Sequence, residues 1–155
     1  MAGEYRVDTI PDVTVTGTDG APLRLRDLPR PLIVYFYPKD DTPGCTHEAL
    51  DFSALASRFA AAGASIIGIS RDTVAKHNKF IARHGLGIPL GSDLDGSVTE
   101  AFGVWGERQM YGRTYMGIER ATFLYGPDGR LVRAWRKVKV PGHAEEVLEA
   151  ARALG

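Results

Sequence analysis

The chain has 155 residues, of which 44% are hydrophobic and 25% charged, enough for one domain around a sizeable core and the profile of a globular protein. Lys and Arg total 19, as do Asp and Glu, so the formal net charge is zero and neither a nucleic acid nor a membrane surface is expected as partner. The one cysteine excludes an internal disulfide and a thiolate-rich metal site, and fits a reducing cytoplasm. The longest apolar run, residues 32–37, is too short to cross a bilayer, and residues 1–8 do not resemble a secretory leader. A single domain over residues 1–155 is therefore expected.

In chain order, Val13 to Thr16 alternate, Thr18-Asp19-Gly20 turns, and Leu23-Arg24-Leu25 alternates again, which predicts an N-terminal hairpin. Residues 31–37, Pro-Leu-Ile-Val-Tyr-Phe-Tyr, are a continuous β-prone run that predicts a strand buried on both faces, ended by Pro38. From about Thr46 the period changes: Phe52, Leu55, Ala56 and Phe59 form one stripe of a helix that stops before Gly63. Residues 64–70 read as a second buried strand. Asp72 is placed to cap a helix through His84, with Gly85 to end it.

Residues 88–90 predict a short strand, and residues 97–102 a short helix after the turn 92–96. Two strands, 119–125 and 131–135, flank the turn Gly126-Pro127-Asp128-Gly129. A last helix starts near Ala144, with Val147, Leu148, Ala151 and Leu154 as its apolar stripe and Glu145, Glu146 and Arg152 set as the helix dipole favours. This order describes an α/β domain: a central mixed β-sheet flanked by helices, parallel early and antiparallel late, with an N-terminal β-hairpin extension. It is compatible with a thioredoxin-like fold.

The chemistry concentrates in residues 38–46, Pro-Lys-Asp-Asp-Thr-Pro-Gly-Cys-Thr, between the first buried strand and the first long helix. Loops at the carboxyl ends of such strands are where ligands bind. Cys45 falls near a helix N-terminus, where free backbone N–H groups and the dipole favour a thiolate. A lone cysteine is more often a small buried hydrophobe. The strand–loop–helix placement, the Pro43-Gly44 approach and the hydroxyl of Thr42 argue for chemistry instead.

Pro38, Thr42 and Cys45 match the Pro-x-x-x-Thr-x-x-Cys signature of peroxiredoxins, and the run from Tyr35 to Ala49 resembles the bacterioferritin comigratory protein, or peroxiredoxin Q, subfamily. Gly68-Ile69-Ser70, Phe102-Gly103-Val104-Trp105-Gly106 and Gly117-Ile118-Glu119-Arg120 extend the resemblance over roughly residues 8–154. The resemblance implies a thiol peroxidase for hydrogen peroxide and organic hydroperoxides, with Cys45 as the attacking nucleophile that becomes a sulfenic acid. It implies that Thr42 hydrogen-bonds thiolate and peroxide, that Pro38 shields the pocket and that Arg120 sits beside the sulfur. It implies no cofactor or metal, and a monomer. An arginine suits that place because it stabilises a thiolate without acting as an acid.

The chain departs from the subfamily where many members carry a resolving cysteine five residues after the first: here stands Leu50. No cysteine occupies the region from His77 to His84, where other members place it. The expected cycle is therefore of the one-cysteine type, resolved by an external thiol such as thioredoxin, glutaredoxin with glutathione, or a small thiol. A peroxide sensor or thiol relay passing Cys45 oxidation to a partner is the alternative. A dithiol reductase is opposed by the lack of a Cys-x-x-Cys pair. His47 is read as an outer-face residue and Glu48 as a first-turn acid, while His77, His84 and His143 lack the spacing of a metal site. Trp105 is expected to pack on the core; Tyr111 and Tyr115 are left open.

Overall fold

All five residues of Leu32–Phe36 are buried, and this strand, β3, takes an interior place in the sheet, paired on both sides, as its continuous apolar run requires. The computed structural model describes residues 7–154. A seven-stranded sheet has the order β2-β1-β5-β4-β3-β8-β9, with β1 at Thr14–Gly17, β2 at Pro22–Arg24, β4 at Ser65–Ser70, β5 at Leu90–Ser92, β8 at Ala121–Tyr125 and β9 at Leu131–Trp135. Strands β3, β4 and β5 run parallel, β8 returns antiparallel on the other side of β3, and the hairpin β8–β9 completes that edge. The expected mixed sheet, parallel early and antiparallel late, is what forms. The N-terminal hairpin is no appendage: β1 pairs antiparallel with β5 through Thr16–Ser92 and Gly17–Gly91.

Alternation along β3 builds two cores. Ile33, Tyr35 and the following Tyr37 face one side, where Phe52, Phe59, Phe80, Val147 and Leu148 cover them from α1 (Pro43–Ala54), α2 (Ala56–Ala61), α3 (Val74–His84) and α5 (His143–Arg152). Leu32, Val34 and Phe36 face the other side, against Ile67, Ile69, Phe102 and Phe123 beside α4 (Ser97–Ala101). Among the described residues no helix is long and apolar enough to cross a membrane.

Three local expectations are corrected, and one pair of strands forms that no pattern predicted. The first helix begins at Pro43 rather than near Thr46, because proline suits the first helical position, where no N–H is needed. It breaks at Leu55 (φ −100°, ψ 3°) into α1 and α2, although the stripe Phe52, Leu55 and Phe59 is buried as expected. Thr73, not Asp72, caps α3 by accepting the N–H of Lys76 at 3.1 Å, while Gly85 (φ 62°) ends it as expected. Residues 105–118 form a second two-stranded sheet, β6 (Trp105–Met110) and β7 (Arg113–Ile118), around Gly112 at φ 76°. Polar residues on both faces of that hairpin left no alternation to read.

Candidate active site

The residues at the carboxyl end of β3 turn directly into α1. Thr42 is the N-cap, Pro43 and Gly44 follow, and Cys45 occupies the first turn, so its backbone N–H belongs to the unpaired set at the helix start. Cys45 is 2% exposed and lies in the core cluster with Tyr35, Ala49 and Phe52. Gly44 has a steric reason: a Cβ there would stand 3.2 Å from Nη2 of Arg120, so glycine leaves the guanidinium room beside the helix.

Arg120 arrives from the turn between β7 and β8, one residue before the strand expected to contain it. That turn is fastened from below. The Glu119 carboxylate accepts from Arg136 Nε at 2.7 Å and Nη2 at 3.1 Å and from the Lys137 N–H at 3.0 Å, and the Val138 N–H donates to the Arg120 carbonyl at 2.9 Å. Burial pushes the Glu119 carboxyl up, but Arg136 and the Lys137 N–H outweigh it and hold the group below its ordinary range. From this footing Arg120 Nη2 donates to Cys45 Sγ at 3.3 Å and Nη1 to Glu48 Oε1 at 2.7 Å.

Glu48 lies three residues after Cys45 on the same face of α1 and is 1% exposed, with Oε2 buried and unpartnered. Burial pushes its carboxyl up to about 7 against the opposing pull of Arg120. Burial also works against the charge of Arg120, yet Glu48 and Cys45 together hold its pKa above the ordinary arginine value. The sequence reading has Glu48 only as a first-turn acid; its burial against Arg120 depends on where the turn before β8 lies, which no local pattern reveals.

A cavity of about 640 Å³ opens over the thiol, lined by Pro38, Thr42, Cys45, Arg71, Trp105, Tyr115, Met116 and Arg120 among others. The four residues expected from the sequence, Pro38, Thr42, Cys45 and Arg120, thus share one pocket. Thr42 does not bond the thiol in this arrangement: its hydroxyl donates to the Lys39 carbonyl at 2.8 Å. Trp105 packs against the second core and also forms pocket wall, with the Arg71 guanidinium 3.3 Å above its ring centroid. His47 is exposed and lines a separate cleft of about 280 Å³ with Pro43, Val140 and Pro141. Leu50, where a resolving cysteine would stand, is 41% exposed.

Three polar residues near the loop were not anticipated as a unit. Asp40 accepts from the Tyr37 hydroxyl at 2.5 Å and lies 2.6 Å from His77 Nδ1, and all three are buried. They are separated by up to 40 positions in sequence, and α3 crossing the loop is what unites them.

An arginine-paired thiol on the first turn of a helix, fed by a central parallel strand, places the molecule among thioredoxin-like thiol enzymes. The AhpC/TSA family model matches residues 7–134. Peroxiredoxin Bcp of Xanthomonas campestris pv. campestris is 56% identical over 122 residues, covering 79% of this chain and 76% of that protein. Peroxiredoxin Bcp of Bacillus subtilis is 45% identical over 143 residues, covering 92% and 91%. The solved bacterioferritin comigratory protein of Xanthomonas campestris, studied for its alkyl peroxide reduction activity, superposes with a TM-score of 0.86 at 48% identity over 97% of this chain and 96% of that one. Peroxidoxin BcpB of Mycobacterium tuberculosis does so at 0.84 and 35% identity, covering 98% and 99%. The chain belongs to the AhpC/TSA family and, within it, to the peroxiredoxins of the bacterioferritin comigratory protein, or peroxiredoxin Q, type, which are thiol-dependent peroxidases.

Proposed function

We propose that the chain is a one-cysteine peroxidase whose sulfur is oxidised by the substrate and restored by an external thiol. The observation that carries this reading is Arg120 Nη2 at 3.3 Å from Cys45 Sγ, at a helix start and facing a cavity of about 640 Å³. The thiolate attacks the terminal oxygen of the peroxide, the O–O bond breaks, and its electron pair leaves with the second oxygen, which takes up a proton. Cys45 becomes a sulfenic acid, and the product is water or an alcohol.

Arg120 serves this step twice, as the cation beside the attacking thiolate and as a donor toward the charge growing on the leaving oxygen. Pro38 acts as a wall that limits water at the mouth. Thr42, its hydroxyl proton committed to Lys39, keeps its oxygen lone pairs available to accept from the peroxide O–H. The single cysteine supports resolution from outside. The active unit in this reading is one domain, a monomer that works in the cytoplasm.

The decisive experiment is mass spectrometry after stoichiometric peroxide. Cys45 is expected to carry a dimedone-reactive sulfenic acid, and glutathione added in place of dimedone is expected to give a mixed disulfide at Cys45. Cys45→Ser is expected to abolish both adducts and peroxide consumption. A Cys45 left unmodified by peroxide would overturn the reading.

A further inference from the structure

A sulfenic acid on Cys45 forms at a residue only 2% exposed, so any reductant must reach an enclosed sulfur. Whether it enters the pocket or waits for the loop to open depends on what holds residues 38–44 in place. Two consecutive loop residues carry that load. The Asp40 carboxylate lies 2.6 Å from His77 Nδ1, and His77 Nε2 lies 3.0 Å from the Gly91 carbonyl oxygen. The ring is thus held at both nitrogens, one against the loop and one against β5. His77 is 0% exposed. The Asp40 N–H is also committed, to Asp72 Oδ2 at 2.8 Å.

Asp41 follows with φ 61°, a left-handed conformation that a non-glycine residue holds only when its surroundings impose it. Those surroundings are again α3: Asp41 Oδ1 lies 2.7 Å from His84 Nε2, and Oδ2 lies 3.6 Å from Arg83 Nη1. His77 and His84 are seven residues apart, two helical turns, and so share one face of α3. Opening the loop would strip the buried Asp40 carboxyl and the buried His77 imidazole of their mutual hydrogen bond, and a buried polar group left without a partner is costly.

We propose that the pairs Asp40–His77 and Asp41–His84 form a clasp that keeps the Cys45 loop closed after oxidation, and that the clasp reserves Cys45 for low-molecular-weight thiols over protein thiols. This rests on the one-cysteine reading above. A cavity of about 640 Å³ is in the range that takes a small ligand, whereas a folded protein cannot follow it inside. The small thiol attacks the sulfenic sulfur, an S–S bond forms, and the hydroxyl leaves as water with the thiol's proton. A second small thiol then attacks the mixed disulfide at its own-type sulfur, releasing Cys45 as the thiolate and the small thiol as its symmetrical disulfide. No internal thiol needs the loop to open, since Cys45 is the chain's only one.

The test uses the full chain, oxidised with one equivalent of peroxide and then mixed with reduced glutathione or reduced thioredoxin. Loss of dimedone labelling is followed in the wild type, Asp41→Gly and His77→Gln. Glycine accepts the φ of Asp41, so the first variant removes the outer pair while keeping the fold; the second keeps a polar side chain beside Gly91 but removes the ring that spans from Gly91 to Asp40. Glutathione is expected to clear the wild-type sulfenic acid about tenfold faster than thioredoxin at equal thiol concentration. In both variants the thioredoxin rate is expected to rise about tenfold relative to glutathione, amides 40–46 to exchange hydrogen about tenfold faster, and peroxide oxidation of Asp41→Gly to stay within about threefold of wild type. Thioredoxin matching glutathione on the wild type, or variants with unchanged exchange and unchanged preference, would overturn the clasp. No dimedone label on the wild type would instead overturn the one-cysteine reading, and the clasp proposal with it.

Discussion

Glu48 and His143 are two buried groups near Arg120 whose protons oppose each other. Burial raises Glu48 from 4.5 to about 7, so between those values the unfolded chain has lost a proton that the folded one keeps, and stability falls as pH rises. Burial lowers His143 from 6.5 to about 4, so over nearly the same range the unfolded chain holds a proton that the folded one lacks, and stability rises with pH. Each effect is up to about 3 kcal/mol before solvent screening reduces it. The pair is therefore expected to cancel in the wild type. Denaturant titrations at pH 4.5 and 7 are expected to show Glu48→Gln gaining stability with pH and His143→Gln losing it; parallel slopes in the two variants would contradict the assignment. At Arg120 the question is what the cation does beyond the thiolate. For a cysteine in general, lowering the pKa from about 8.5 to about 6 multiplies the thiolate fraction at pH 7 by about 30, or about 2 kcal/mol of barrier. Arg120→Ala is expected to slow peroxide reduction by more than its thiolate fraction falls, because the leaving oxygen loses its donor as well. Stopped-flow rates that merely track thiolate content would count against that role.

Strand β4 and helix α1 show how far an element's sequence reveals its purpose. Ile66-Ile67-Gly68-Ile69 announces a buried strand, but the need for glycine comes from the neighbouring strand. Tyr35 lies opposite Gly68 in the register, and a Cβ at Gly68 would sit 2.6 Å from Tyr35 Cζ. Tyr35 cannot easily retreat, since its ring stacks on Phe52 with centroids 4.7 Å apart. Gly68→Ala is expected to cost about 1–3 kcal/mol, seen as a lower Tm in calorimetry. For α1 the signature Pro38, Thr42, Cys45 was readable because sequence spacing alone carries a nucleophile to a helix start. The position of Arg120 was readable only by resemblance, and the partnership of Glu48 with it was not readable, since it spans 72 positions. The β6–β7 hairpin escaped for a different reason. Its β7 strand has four exposed residues followed by a half-buried and a buried one, so it bears no alternating pattern.

At the scale of the whole molecule, the sheet's two faces meet at the mouth of the pocket. Cys45 comes from α1 and Arg120 from the turn before β8, while Trp105, Tyr115 and Met116 come from the small second sheet. The wall they add is largely apolar, and Tyr115 and Met116 remain 45% and 53% exposed at its rim. A peroxide with an apolar body gains from that wall, and hydrogen peroxide does not. Trp105→Ala is expected to raise KM for an aryl hydroperoxide about tenfold while leaving that for hydrogen peroxide within about twofold. Equal changes for the two substrates would show that the wall does not select between them.

The amino-acid order by itself determined the α/β class, the buried strand β3 with its loop and helix, and the cysteine at that helix's start, because each follows from local period, propensity and spacing. Leu50 and the absence of a second thiol were equally plain, and the one-cysteine proposal rests on them. Only the tertiary structure decided how the polar groups around the site are paired. The burial of Glu48 with its bond to Arg120, and the union of Asp40 with His77, come from partners 72 and 37 positions away, and a buried polar group is defined by what packs around it. The same holds for the pocket wall, which exists because a hairpin without a readable pattern folds back over Cys45.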